Sequence, residues 1–497
     1  MDDDASASTA LRYVGLGLGL ALFGGLLYLP VPDGLSPTAW RTAAVGGLMA
    51  VWWITEALPI PATALVPLPL FPLLGITDID GAAAPYANPL IFLFMGGFLL
   101  AQAMQTWRLH RRIALAIVRW VGTRPASIVI GFILASAILS MWVSNTATAL
   151  MMLPIGVSIV ELAQDRLAAR GRDLSPNFGV VLVLSIAYAC NIGGMGTLIG
   201  TPPNALLAGF FSESYGVEVG FAQWMVVGLP LVAVALPLLY QVLTWVYPLN
   251  LERLPGGAQI IDDEQEKLGA WSTAETRVAL VFALTAGLWM TRPLLAEVVP
   301  GLSDAGIAIG AGIVLFLLPA GTEDRALLVW KDAEQLPWGV LLLFGGGLSL
   351  ASAISDTGLA EWIGQGVNAL AGWPIFLVLV STVALIVLLT EITSNTATTA
   401  AFLPILGAVA VGFGEDPFLL TVPAALGASC AFMLPVATPP NAIVYGSGLL
   451  SIPQMSRVGV WLNLLFIVVV TAMAYGLLGI AFGVELGSVP GWATGTG

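Results

Sequence analysis

Apolar stretches of about 20 residues, the length of a membrane-crossing helix, alternate with short polar segments along the chain. Residues 11–30, 43–54, 57–74, 88–107, 224–247, 277–290, 305–318, 336–354 and 460–482 read as spans, with Glu56 to Pro61 as the turn between the second and third. Four blocks behave differently. Residues 126–162 and 373–413 are apolar at both ends and polar in the middle, which predicts re-entrant hairpins tipped by the polar residues. Residues 178–211 and 418–450 are too long for one straight span. Each also carries a Pro-Pro pair, and 178–211 a glycine run, which a continuous helix does not accommodate; this predicts crossings made of two half-helices. The period-2 alternation of barrel strands is missing. The expected fold is an all-α polytopic membrane protein with eleven crossings and two hairpins.

The interruptions come in pairs. Trp142-Val143-Ser144-Asn145-Thr146-Ala147-Thr148 returns as Ile392-Thr393-Ser394-Asn395-Thr396-Ala397-Thr398, 250 positions later (144 to 394). Gly200-Thr201-Pro202-Pro203-Asn204-Ala205 returns as Ala437-Thr438-Pro439-Pro440-Asn441-Ala442. Phe94-Met95-Gly96-Gly97 in the fourth span matches Phe344-Gly345-Gly346-Gly347. The chain therefore reads as two copies of one plan.

Composition fixes the solvent. Of 497 residues, 58% are hydrophobic and 9% charged, too little polar surface for a water-soluble globule. The lipid bilayer is the expected surrounding, and nothing suggests a nucleic-acid partner. Arg108, His110, Arg111, Arg112, Arg119 and Arg124 precede the first hairpin, and Arg166, Arg170 and Arg172 follow it. The positive-inside rule puts both flanks in the cytoplasm, as a hairpin requires. The flanks of the second hairpin hold Asp356, Glu361, Glu415 and Asp416 and no base, so it enters from outside.

Opposite entry makes the halves inverted repeats, at 38–250 and 276–484. A polar linker, 251–275, divides them on the cytoplasmic side. Residues 1–37 form an N-terminal tail and first span with the N-terminus in the cytoplasm; 485–497 form an external tail. Met1 to Ala10, with three aspartates, does not read as a cleavable signal. The net charge of −13 and the two lysines describe the wet surface, and suit a habitat of concentrated salt.

Irregular backbone at membrane depth is tolerated only inside protein or along a wet cavity. The four interruptions are thus expected to build one transport site near the midplane, at the repeat interface. Half-helix N-termini suit an anion, and unwound carbonyls with hydroxyls suit a hard cation. The clusters hold no lysine, arginine or histidine. A small divalent anion there must be balanced by dipoles, by hydrogen bonds from Asn145, Thr146, Thr201, Asn395, Thr396 and Thr438, and by co-bound cations, which makes coupling to sodium an electrostatic expectation. Glu391 is an intramembrane acid, open to two roles: carrier of a coupling proton, or a hydrogen-bonded structural group. Cys190 and Cys430 read as small buried thiols, and His110 as an interfacial residue.

At these residues the chain resembles the divalent anion/sodium symporter family, which includes sodium-coupled dicarboxylate and citrate transporters. The likeness also covers Trp53-Ile54-Thr55-Glu56-Ala57-Leu58-Pro59, Ile192-Gly193-Gly194-Met195-Gly196-Thr197 and Leu434-Pro435-Val436. It implies a homodimer whose mobile transport domain carries the site across the membrane as an elevator against a fixed scaffold. It implies one sodium site from Ser140, Ser144, Asn145 and Gly200, and another from Thr390, Thr393, Asn395 and Ala437, with Thr393 and Ala437 acting through their carbonyls. Substrate carboxylates would meet Asn145, Thr146, Thr201, Asn395, Thr396, Thr438 and Pro439.

The expected function is sodium-coupled uptake of a C4 dicarboxylate such as succinate, malate or fumarate. Citrate, sulfate and sodium-independent exchange are the alternatives on the same architecture. An enzyme is not expected, because Ser144 and Ser394 have no base near them and Glu391 has no partner acid. A channel is disfavoured because a site enclosed by two hairpins sequesters its cargo.

Overall fold

The computed structural model describes residues 2–122, 124–169, 175–249, 257–321, 324–366 and 372–494. Arg170, Arg172 and residues 251–256 of the linker lie outside them. The described residues form helices and loops, with no β-strand among them. Among the described residues eight stretches, the outgoing arms of both hairpins included, are by length and composition apolar enough to cross a bilayer, and shorter apolar helices of 10–17 residues, the incoming arms included, accompany them.

α1 (Asp2–Tyr28) and α2 (Pro37–Ile54) open the chain. The third expected span does not form as one helix. Residues 57–74 instead fold as the short α3 (Ile60–Thr63) and α4 (Pro67–Leu73), because Pro59, Pro61, Pro67, Pro69 and Pro72 withhold backbone donors and clash with the preceding turn. α5 (Ile79–Ala83) leads to α6 (Pro89–Thr106), capped by Asn88, whose side chain accepts from Leu90 N at 3.0 Å. The basic stretch after it is itself a helix, the amphipathic α7 (Leu109–Val121), which buries Leu109, Ala114, Leu115 and Val118.

The first hairpin is α8 (Pro125–Ser140) and α9 (Asn145–Ala168), joined at residues 141–144. Its arms fold back on each other: a Cβ on Gly156 would lie 3.5 Å from the Phe132 ring. The outgoing arm runs past residue 162, because its end is polar and is held by other groups, as described below. The first broken crossing is α10 (Pro176–Gly194) and α11 (Pro202–Tyr215), with residues 195–201 unwound. Residues 195–201 are themselves buried, as is α10 from Phe178 to Gly194, so the irregular segment lies inside protein.

α12 (Phe221–Val246) follows. The linker then folds as a further helix, α13 (Gly257–Leu268). It docks on the basic elements. Glu264 pairs with Arg111, Asp262 with Arg119 at 3.4 Å, and Gln259 takes Arg166 of α9 at 2.5 Å. The acidic linker and the basic stretch therefore share one face of the protein. Burial opposes the charge of Glu264, and Lys267 and Arg111 overcome it, leaving its carboxyl below the usual range.

α14 (Thr273–Leu295), α15 (Asp304–Leu317), α16 (Trp330–Ala333), α17 (Trp338–Asp356) and α18 (Leu359–Gly366) lead to the second hairpin. That hairpin is α19 (Ile375–Leu389) and α20 (Asn395–Gly412). The second broken crossing starts with α21 (Phe418–Ala428), which packs on α19, with Gly427 facing Val387. Residues 429–438 are unwound apart from a 3₁₀ turn, Pro435–Ala437. The half-helix beyond, α22 (Pro439–Tyr445), is only seven residues, shorter than the expected block to 450. Gly446 and Gly448 follow it, and Gly448 has the positive φ of 74° that stops a helix. α23 (Ile452–Phe482) ends the bundle.

Candidate functional site

Each hairpin tip is a serine-capped helix start. Ser144 Oγ accepts from Ala147 N at 3.3 Å, and Ser394 Oγ from Ala397 N at 3.5 Å. These side chains prefer the cap, where they satisfy a free N–H, over the helix interior. The residue after each serine reaches back across the turn. Ser140 Oγ donates to Asn145 Oδ1, and Thr390 Oγ1 donates to Asn395 Oδ1 at 2.6 Å. The same pair thus occurs twice, 250 positions apart, on elements of different length and setting.

Each pair faces its neighbouring broken helix. A Cβ on Gly194 would sit 2.9 Å from Asn145 Oδ1 and 3.0 Å from Gly200 O, so these oxygens share one small space beside Ser140. In the second copy Ala428 O also lies 2.8 Å from Thr390 Oγ1, whose single hydroxyl proton it shares with Asn395 Oδ1. Of the expected cation ligands, Ser140, Asn145 and Gly200 come together in one place, and Thr390 and Asn395 in another. Ser144 is exposed beside its pair. Thr393 directs its hydroxyl to Leu389 O at 2.8 Å and Thr398 Oγ1 at 2.6 Å, leaving its carbonyl as the group on offer. Ala437 ends the 3₁₀ turn, and no hydrogen bond joins it to Thr390, Thr393 or Asn395 among the described residues.

The expected anion ligands sit at four helix starts: Asn145 and Thr146 on α9, Asn395 and Thr396 on α20, Thr201 before α11, and Thr438 and Pro439 at α22. Asn145, Thr146, Asn395 and Thr396 are half-buried, Thr201 and Thr438 are buried, and Pro439 is exposed. Thr201 caps α11 without using its side chain for the cap. Among the described residues no lysine, arginine or histidine hydrogen-bonds to any of them, and no three His, Cys, Asp or Glu side chains cluster as a metal site. Four positive helix ends with hydroxyls and amides suit a small anion; carbonyls and hydroxyls suit a hard monovalent cation.

The unwound segments are stitched alike, by residues whose roles the sequence did not announce. Asn204 Nδ2 donates to Gly194 O at 3.1 Å and Thr197 O at 2.8 Å; Asn441 Nδ2 donates to Ala431 O and Leu434 O, both at 3.0 Å. Their one signal was the repeated Pro-Pro-Asn. Asn191 joins the copies, donating to Thr438 Oγ1 at 3.2 Å, and Tyr188 OH donates to Phe432 O at 2.6 Å. Glu391 is hydrogen-bonded in the structure. Its carboxylate accepts from Phe432 N, Met433 N, Leu434 N and Asn463 Nδ2 at 2.7 to 3.1 Å. Cys190 and Cys430 are free and buried, as expected of small thiols.

The chain has relatives in sequence and neighbours in fold. The sodium-dependent dicarboxylate transporters SdcS of Staphylococcus saprophyticus and Staphylococcus aureus are 44% identical, over 96% of this chain and 93% of theirs. Two solved transporters share the fold at low identity. That of Alcanivorax borkumensis YdaH has a TM-score of 0.56 at 14% identity, covering 88% of this chain and 98% of its own. Neisseria gonorrhoeae MtrF has a TM-score of 0.57 at 12% identity, covering 92% and 96%. Residues 11–481 match the sodium:sulfate symporter transmembrane region, and the chain belongs to that family of membrane transporters.

Proposed function

We propose that this protein couples sodium entry to the uptake of a small divalent anion, a C4 dicarboxylate such as succinate, malate or fumarate. The observation that carries the reading is the duplicated pair, Ser140 with Asn145 and Thr390 with Asn395, each beside an unwound segment and helix starts with no basic side chain. A dianion so placed needs positive charge that only helix ends and co-bound cations supply. Sodium held by Ser140, Ser144, Asn145 and Gly200, and by Thr390, Thr393, Asn395 and Ala437, provides it. The carboxylates then take donors from Asn145, Thr146, Thr201, Asn395, Thr396 and Thr438, next to Pro439. The relatives named as sodium-dependent dicarboxylate transporters favour this cargo.

The two copies, 38–250 and 276–484, are inverted repeats in this reading. The hairpins and broken helices form a mobile unit that moves as an elevator against the remaining helices of a homodimer. The N-terminus is cytoplasmic and the C-terminus external, in the cell membrane. The family description favours one alternative cargo, sulfate.

Radiolabelled succinate uptake into proteoliposomes, with and without an inward sodium gradient, tests the reading. Sodium-driven uptake that succinate, malate and fumarate inhibit, and that Asn145→Ala and Asn395→Ala each abolish, is expected. Competition by sulfate or citrate alone, or counterflow at full rate without sodium, overturns it.

A further inference from the structure

We propose that Glu391 and Asn463 are positioning residues for the sodium site of the second hairpin, acting through the backbone of the unwound segment 429–438. This rests on the sodium-coupled reading above.

Glu391 is 4% exposed and lies next to Thr390 in the hairpin tip. Its Oε1 accepts from Phe432 N at 2.7 Å, Met433 N at 2.9 Å and Asn463 Nδ2 at 2.7 Å, and its Oε2 from Met433 N at 3.0 Å and Leu434 N at 3.1 Å. Three consecutive N–H groups converging on one point form a nest for an anion. Here the chain fills that nest with its own carboxylate, so these donors are not available to a bound substrate. A buried carboxylate is tolerable only with such a full set of donors.

The neighbouring residue completes the grip. Thr390 holds Ala428 O at 2.8 Å, at the end of α21, while Glu391 holds the N–H groups of residues 432–434. Two successive side chains therefore pin the start and the middle of the unwound segment to the tip that carries Asn395. The carbonyl of Ala437 follows three residues after the pinned Leu434 in a 3₁₀ turn.

The first copy manages without an acid. Its matching residue is Met141, whose carbonyl accepts from the Thr197 hydroxyl. Closing the motif does not demand an acid, so Glu391 adds something the fold alone does not need: one side chain that takes three consecutive backbone N–H groups, one residue from the proposed cation ligand Thr390. Asn463, on α23, donates to the same Oε1 that takes Phe432 N and Met433 N, and is itself buried, 2% exposed.

The test is sodium-dependent thermal stabilisation of the purified full-length protein, for wild type, Glu391→Gln and Asn463→Leu. Gln turns one acceptor oxygen into a donor that faces the donors of Met433 and Leu434. The sodium concentration for half-maximal stabilisation is expected to rise about tenfold in Glu391→Gln and about threefold in Asn463→Leu. The further stabilisation by succinate at saturating sodium is expected to stay within about twofold of wild type in both. A purely structural role lowers the melting temperature without moving the sodium midpoint, and that outcome overturns the proposal. Should Glu391→Gln not fold, Asn463→Leu decides alone, since it leaves the carboxylate and its backbone bonds in place. Wild-type protein that binds sodium but does not transport succinate overturns the transport reading only; wild-type protein indifferent to sodium overturns both.

Discussion

Asn191 of α10 donates its amide to Thr438 Oγ1 at 3.2 Å, tying the broken helix of one copy to the helix start of the other. Thr438 Oγ1 also accepts from Asn441 N at 3.4 Å. With both acceptor positions taken, the hydroxyl proton of Thr438 is left to point elsewhere, as a donor for a carboxylate. Replacing Asn191 by Ala frees the hydroxyl to turn. The expected result is a KM for succinate about tenfold higher, with the sodium dependence unchanged. Asn191→Asp sets a carboxylate against the acceptors Ala431 O and Asn441 Oδ1, and is expected to lose uptake altogether. An unchanged KM in Asn191→Ala removes this role.

Gly194 and Gly200 are needed for want of space. A Cβ on Gly200 would clash with the Gly194 carbonyl, which is backbone and cannot step aside; one on Gly194 would press on Asn145 Oδ1 and Gly200 O. Gly200→Ala and Gly194→Ala are expected to cut sodium-driven uptake at least about tenfold while the protein still reaches the membrane, because they displace one of the two proposed cation sites and leave the rest of the bundle alone. Gly287, in α14, has nothing within 4 Å of its would-be Cβ. Gly287→Ala is the control, with uptake unchanged and a slightly raised melting temperature. Equal uptake in all three variants removes the assignment of Gly200.

Much of this was legible because membranes punish polar groups. Ser144, Asn145, Ser394 and Asn395 stand out in apolar surroundings, and Pro202-Pro203 and Pro439-Pro440 forbid a continuous helix, so tips and breaks could be placed from one sequence. Residues 57–74 misled because leucine and proline are both apolar to a hydropathy count, while proline denies the helix its donors. α7 and α13 were read as charge alone, and their buried stripes, Leu109 to Val118 and Ile261, escaped notice. The grip of Glu391 was not legible at all. Its partners are backbone N–H groups about 40 residues on and an amide 72 on, and backbone donors leave no trace in residue identity.

The hairpin tip also touches the other copy. Trp142 stacks on Trp289 of α14, with ring centres 6.4 Å apart and planes at 10°, and meets Phe282 edge-on at 5.0 Å. An elevator needs the tip to slide past α14. Trp142→Cys with Phe282→Cys, bridged by a short thiol cross-linker that a reductant cleaves, is expected to arrest uptake and to regain it on reduction. Each single variant treated alike should keep transporting, and the buried Cys190 and Cys430 should not react. Full uptake in the bridged protein means that the tip does not travel against α14.

Asp416, in the loop between α20 and α21, couples stability to pH. Burial, with help from the neighbouring charge of Glu415, pushes its carboxyl from 3.8 up to about 6, against the opposing bond from Phe418 N at 2.8 Å. The folded state therefore holds a proton that the unfolded state has lost between about pH 4 and pH 6. Stability falls as pH rises through that window and stays lower above it. An asparagine side chain in its place keeps an oxygen for Phe418 N and cannot ionise, and Glu415 still accepts from Gly487 N at 2.8 Å. Asp416→Asn is thus expected to raise the melting temperature at pH 7.5, to leave it unchanged at pH 4, and to flatten the fall between pH 4 and pH 6. Melting curves across that range decide the matter, and an identical slope in wild type and variant would show that the cost of burying this charge is met elsewhere.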